Sequence, residues 1–248
     1  ASSLKAIDAA MSQADEEMYK NGIVAVGDHV NTDNTSKIKE NSKIQYHTFV
    51  EVMGIEPEEA ENKLQIAKDL MLEFDSKSVS ITPHAPYSCS KILLKKFKKS
   101  ISENNIISIH NQESDEENKL FRYKTGDFLD FYEKIGKNPE LFKAQARNSI
   151  QSYLPYLPNP NKLILVHNTF TSLKDLDFVD RMDREIVWCF CPKANLYIEG
   201  QLPKIMNFVN DHQNIVIGTD SLASNDSLSI LDELKVLHAN FNELDFLH

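Results

Sequence analysis

Seven short apolar runs constrain this chain more than any other feature. They lie at residues 23–26, 46–52, 79–81, 106–109, 163–166, 186–190 and 215–217, and most are nearly continuous Ile, Val, Leu, Phe or Trp. A strand that is apolar on both faces belongs to a parallel sheet covered by helices, because each face must be shielded from water. The stretches between the runs supply the cover. Residues 58–74 place Ala60, Leu64, Ala67, Leu70, Met71 and Phe74 at helical spacing. Residues 90–103 open on a Ser cap and carry Ile92, Leu93, Leu94, Phe97 and Ile101. Ser172-Leu173-Lys174-Asp175 reads as a capping box that opens a further helix. Residues 201–211 and 227–240 predict two more.

Strict alternation of strand and helix leaves a doubly wound open sheet or a (β/α)8 barrel, both of the α/β class. A dinucleotide fold wants G-x-G-x-x-G after its first strand. Gly22 and Gly27 do not form that motif, and no G-x-x-x-x-G-K-[ST] occurs. The length of 248 residues suits the barrel, for which ~250 is typical. No internal repeat or linker divides the chain, so residues 1–248 are expected to form one barrel domain. Residues 114–161 make a long crossover that ends in Pro155, Pro158 and Pro160, expected to hold extra helices over the site. Residues 31–43, NTDNTSKIKENSK, are poor in apolar side chains and are expected to be a mobile loop.

Lys and Arg total 27 against 37 Asp and Glu, a formal net charge of -10. That balance argues against a nucleic-acid or anionic-membrane partner, since binding phosphate needs a basic surface. The one dense basic run, Lys95-Lys96-Phe97-Lys98-Lys99, reads as the solvated face of a helix. No stretch approaches the ~18 apolar residues of a membrane span, and the polar start does not resemble a signal peptide. With three cysteines, Cys89, Cys189 and Cys191, the expected home is the reducing cytoplasm. Cys189 and Cys191 fall on one side of a strand and are expected to be buried core thiols rather than a zinc site.

In a barrel, chemistry gathers where the strands end. Those ends carry Asp28-His29, Glu51, His84, His110 with Glu113, His167, residues 191–195 and Asp220. Four of the eight histidines sit at or just past an apolar run, and His, Asp and Glu are the side chains that hold a divalent metal and move protons near neutral pH. His110 at a strand terminus, with Glu113 three residues on, suits a metal ligand below a general acid/base. Pro83 and Pro86 bracket His84 and fix its position. Asp220 emerges at the rim after a buried strand and needs a partner for its charge.

Six pieces of the chain, TFVEVMG (48–54), TPHAPYSCS (82–90), IHNQES (109–114), LVHN (165–168), CPKAN (191–195) and GTDSLASNDSLSILDELK (218–235), occur in the order of the amidohydrolase superfamily. The chain resembles its chlorohydrolase-like branch of cyclic-amidine deaminases, and the last piece resembles the nucleoside-type members. That resemblance implies a distorted (β/α)8 barrel with one catalytic metal, zinc first and iron second. It also implies a small-molecule substrate such as an aminated purine or nucleoside. It would make His110 the metal ligand of the family's fifth strand. Asp220 would be the ligand of the eighth and would help deprotonate the water. Glu113 would carry a proton from the attacking water to the ring nitrogen and the leaving amine, and His167 would orient and polarise the hydroxide. His84, Ser221 and Asn195 would contact the substrate.

Two departures qualify that reading. The family's first strand carries His-x-His, which occurs nowhere in this chain, and the first apolar run matches the family's second strand. The expectation is therefore a barrel lacking its first strand, its terminal segments and the family's flanking β-sandwich. Such a chain would bind metal weakly or not at all, and its exposed strand edges would favour association between copies. The second departure is Phe190, where relatives often carry His, expected to alter the substrate pocket. One rival is a cyclic-amide amidohydrolase, which commonly uses a carboxylated Lys on its fourth strand; here that strand ends in Pro83-His84. The other rival is a non-catalytic ligand-binding barrel whose metal site has been lost.

Overall fold

The computed structural model describes residues 2–244. The elements begin with α1 (Ser2–Lys20), β1 (Ala25–Val30), α2 (Ser36–Asn41), β2 (Gln45–Val52), α3 (Ala60–Met71), β3 (Val79–Pro83) and α4 (Lys91–Ser100). Next come β4 (Ile107–Asn111), α5 (Asp115–Tyr123), α6 (Asp127–Lys134), α7 (Ser149–Tyr153), β5 (Leu163–His167) and α8 (Leu173–Asp180). The last are β6 (Ile186–Phe190), α9 (Pro192–Glu199), α10 (Ile205–Asn210), β7 (Ile215–Ile217) and α11 (Ile230–Asn240). Each of the seven apolar runs is a strand or overlaps one. Every strand pair is parallel and strand order follows chain order.

The seven strands make one curved wall, although the backbone ladder is interrupted between β3 and β4. Side chains close that seam. Asn105 accepts the Ile81 amide at 2.9 Å and donates to the Ile81 carbonyl at 3.0 Å. Ser80 accepts the Ile106 amide at 3.1 Å. Thr82 accepts the Ser108 amide at 3.0 Å, and its hydroxyl donates to the Ser108 carbonyl. At the end of the seam the His84 carbonyl accepts the His110 amide at 3.0 Å. A run of short polar residues inside otherwise apolar strands thus replaces a stretch of backbone pairing.

Helices cover the outside as the apolar spacing requires. Leu64 and Ala67 of α3 and Leu93, Leu94 and Phe97 of α4 are buried against the sheet. Ser90 caps α4 by accepting from Leu93 N, and Ser172 and Asp175 form the capping box of α8. The Asp175 carboxylate also accepts from Asn148, Gln151 and Gln112, so one buried charge ties the crossover to the end of β4. In the crossover, Tyr87 stacks on Phe128 with centroids 4.4 Å apart, and Tyr132 donates to the Tyr87 carbonyl at 2.6 Å. Extra helices therefore do cover the rim.

Four expectations change. Residues 31–43 include α2 rather than only loop. Lys39 docks it by pairing with Asp28 at 2.6 Å and lying over the Phe74 ring, so its alkyl stem supplies the burial that the composition lacks. Residues 201–211 are helical only from Ile205, because Pro203 disfavours helical geometry at the residue before it. Phe190 faces Phe208 of α10 at 4.9 Å and is buried in the core. Cys191 is buried, but Cys189 is only partly so, and both line a cavity. Gly218 passes so close that an added Cβ would meet the Cys189 sulfur at 3.0 Å.

Among the described residues, β1 and β7 are the sheet edges and pair with no strand on their outer sides. No helix among them is long and apolar enough to cross a membrane. The helix α1, which apolar spacing did not single out, straps the opening. Asp15 accepts from Ser42 and Tyr46 on one side, while Glu17 accepts the Leu228 amide and Asn21 donates to the Leu228 carbonyl on the other.

Two stability measurements check this account. Asn105→Ala would leave the buried amide and carbonyl of Ile81 unpaired at the seam. Each such group costs about 1–3 kcal/mol, so denaturant unfolding should show a loss of at least about 2 kcal/mol; a smaller loss would mean the seam does not depend on Asn105. Glu117 of α5 is fully buried, and burial pushes its carboxyl up to about 8 from 4.5. The folded chain then holds a proton that the unfolded chain releases, so stability falls as pH rises from about 4.5 through 8. Glu117→Gln should flatten unfolding midpoints across that window, and an unchanged slope would contradict the burial effect.

Candidate functional site

Parallel register places the functional side chains. His29 is opposite Phe49, so Glu51, two residues beyond Phe49, lies on the same face of the sheet as His29. Each of His29, Glu51 and His110 is the penultimate residue of its strand. The wall therefore presents them together near the C-terminal rim.

His110 is the centre of the cluster. Its ring centroid lies 5.0 Å from that of His29, 4.9 Å from that of His84 and 5.4 Å from that of His167. Its Nδ1–H donates to the His84 carbonyl at 2.7 Å, which leaves Nε2 as the nitrogen outside that bond. The His29 Nδ1–H donates to Glu51 Oε1 at 3.0 Å, and His29 Nε2 accepts from the Ser108 hydroxyl at 2.8 Å. Burial lowers the pKa of His29, His84 and His167, so all three are neutral imidazoles near pH 7. Burial pushes Glu51 up, but the His29 hydrogen bond and the nearby imidazoles outweigh it, and its carboxyl ends below the usual range.

Glu113 follows β4 and is held from above, where the Tyr87 hydroxyl donates to its Oε2 at 3.1 Å. Tyr87 comes from the loop after β3, the same loop in which His84 Nδ1 lies 2.8 Å from the Ser88 hydroxyl. His167 ends β5 with φ +74° and is buried. It donates from Nδ1 to Asn195 Oδ1 at 3.0 Å, which again leaves Nε2 free. Asn195 of α9 is itself buried and returns a long contact to the His167 carbonyl. Asp220 stands at φ +56°, where its carboxylate accepts the Ser221 amide at 2.6 Å and the Ser224 hydroxyl at 2.9 Å. Ser221 is exposed beside it.

A cavity of about 660 Å³ opens below this rim. His29, His110, Asp28, Asp220 and Ser221 are on its polar wall, and Met11, Met18, Ile23 and Phe49 are on its apolar wall. His84, Glu113, His167 and Asn195 are not on that wall. His84 and His167 pack on the His110 ring and Glu113 is held above by Tyr87, while Asn195 reaches the cluster through His167.

A divalent metal suits the residues present. His29, Glu51 and His110 each offer one ligand atom, and these atoms all lie within 4.8 Å of one another. The donor types, two imidazoles and a carboxylate, match a catalytic zinc site with three protein ligands and an open position. The bond from His110 Nδ1 to a backbone carbonyl is the outer contact that orients a ligating imidazole. Asp220 is on the same cavity but outside that trio. Strand-end reading marked His29 and Glu51 without giving them a role; strand parity was the signal available. Tyr87 was missed altogether, and nothing in the spacing of TPHAPYS points it at Glu113.

The profile of the amidohydrolase family matches residues 2–246. An adenosine deaminase of Helicobacter pylori is 28% identical over 239 residues, covering 94% of this chain and 57% of that protein. Among solved structures, Helicobacter pylori aminofutalosine deaminase superposes with a TM-score of 0.82 at 24% identity, covering 96% of this chain and 60% of that one. An adenosine deaminase from Xanthomonas campestris with bound zinc superposes with a TM-score of 0.71 at 17% identity, covering 96% and 52%. The chain spans just over half the length of each of these relatives. Seven parallel strands, a histidine-rich rim and a family match across almost the whole sequence agree, and the chain belongs to the amidohydrolase family.

Proposed function

We propose that this chain carries the core of a hydrolytic deaminase site that replaces the amino group of a purine nucleoside by a carbonyl oxygen and releases ammonia. The observation that carries the reading is Glu113, held by Tyr87 on the rim that also presents His110, His84 and His167. Its relatives include proteins named adenosine deaminase.

The metal is proposed to be zinc, with iron as second choice, held by His110 and Asp220. When bound, such an ion supplies Lewis acidity, lowering the pKa of water from 15.7 to about 7. The remaining work falls to this chain's side chains. The Glu113 carboxylate takes a proton from the attacking water and returns it to the ring nitrogen. A second proton from the same oxygen reaches the departing nitrogen, so ammonia leaves neutral and the ring carbon keeps the oxygen. Tyr87 fixes the carboxylate in one orientation and leaves its other oxygen available. His167, with Nδ1 committed to Asn195, keeps Nε2 to accept a hydrogen bond from the attacking water and align it. Asn195 is buried, so its contribution runs through His167 rather than through direct contact with substrate. His84 and Ser221 are proposed to meet the ring or sugar edge.

Incubating the protein with adenosine, 5′-deoxyadenosine and 5-methylthioadenosine and measuring ammonia tests the reading. Glu113→Gln should lower turnover by at least ~10²-fold, the usual contribution of a positioned proton transfer, with metal content unchanged. Equal ammonia release by the variant would remove Glu113 from the chemistry, and no release from any of the three substrates by metal-loaded protein would overturn the reading.

A further inference from the structure

We infer that His29, Glu51 and His110 form a divalent-cation site of their own, with ligands from β1, β2 and β4. The inference shares His110 with the proposed deaminase site but does not depend on deamination. It names two ligands, His29 and Glu51, that the family pattern does not supply.

Three independent features of the geometry carry it. The first is convergence. Register and strand parity put the three side chains on one face near one rim, with ligand atoms within 4.8 Å of one another. Glu51 Oε1 is already 3.0 Å from His29 Nδ1 and 3.9 Å from His110 Nδ1. Metal–nitrogen and metal–oxygen bonds of about 2.0–2.2 Å suit side chains whose ligand atoms lie within 4.8 Å of one another.

The second is a buried carboxylate set between two imidazoles. The Glu51 side chain is only 8% exposed, and its ion-pair partners among the described residues are His29 and His110. Buried charges are paired or coordinate metals.

The third is the outer layer. Each imidazole is also held by an outer partner: the His84 carbonyl accepts from His110 Nδ1, and the Ser108 hydroxyl meets His29 Nε2. Such partners orient ligating imidazoles and fix their ring planes. His29 and His110 also line the cavity of about 660 Å³, so an ion held there would keep open positions facing solvent or a ligand.

Cobalt(II) titration of the full chain, read by its visible d–d absorption, tests the inference without any activity. The expected result is saturable binding of one ion in the unmodified chain. His29→Gln and Glu51→Gln should each weaken it by at least ~10-fold, the loss that even outer partners cause. Asp220→Asn should weaken it less than either, since Asp220 lies outside the trio. Far-UV circular dichroism and thermal melting of each variant separate lost ligation from lost folding. If Asp220→Asn abolishes binding while His29→Gln and Glu51→Gln leave it intact, the inference fails and the proposed His110–Asp220 site stands. Absence of any cobalt binding by folded, unmodified chain overturns the inference and leaves the deaminase reading to the ammonia assay.

Discussion

The carbonyl oxygen of His84 accepts two hydrogen bonds from one residue: the backbone amide of His110 at 3.0 Å and its imidazole Nδ1–H at 2.7 Å. The first joins β3 to β4 where the backbone ladder is otherwise interrupted. The second sets which nitrogen of His110 is protonated. One oxygen thus couples closure of the wall to the chemical state of the residue at its centre. The prolines on either side, Pro83 and Pro86, hold the backbone that presents this oxygen. The short polar residues Ser80, Thr82 and Asn105 act along the same seam. They look out of place in and beside apolar strands until the missing ladder is recognised.

The rim stores backbone strain around this centre. Gln112, His167, Asn168 and Asp220 all have positive φ just at or past strand ends, each at a typical cost of order 1–3 kcal/mol. Local bonds hold them there. Gln112 donates to Asp175 and Asn118 and accepts from Thr171. Asn168 donates to the Leu165 carbonyl and accepts from Asn111. Asp220 is clamped by Ser221 and Ser224. These contacts turn side chains that strand geometry would send elsewhere toward the rim.

Much of the wall was legible in the sequence, because an apolar run on both faces has one stable use and a Ser cap one stable place. The strand ends followed from the runs, so His84, His110, Glu113, His167 and Asp220 could be marked without coordinates. What escaped depends on contacts distant in sequence. The α2 turn exists because Lys39 reaches Asp28 and Phe74, which no local pattern encodes. Phe190 sits in the core because α10 brings Phe208 to it. His29 and Glu51 were visible as strand ends, but their union with His110 needs the register of β1 on β2. Counting ligands from the family pattern alone, His110 and Asp220, undercounts the donors that the fold brings together.

The central claim is that His110 is held, before any metal arrives, as the tautomer that can ligate. Nitrogen-15 NMR of the histidine side chains in metal-free protein near neutral pH reads this directly. The account predicts a His110 Nδ1 that keeps the proton it donates to the His84 carbonyl, and a weakening of that bond when Pro83→Ala loosens the carbonyl. A His110 ring protonated on Nε2 alone, or averaging freely between the two forms, would contradict it.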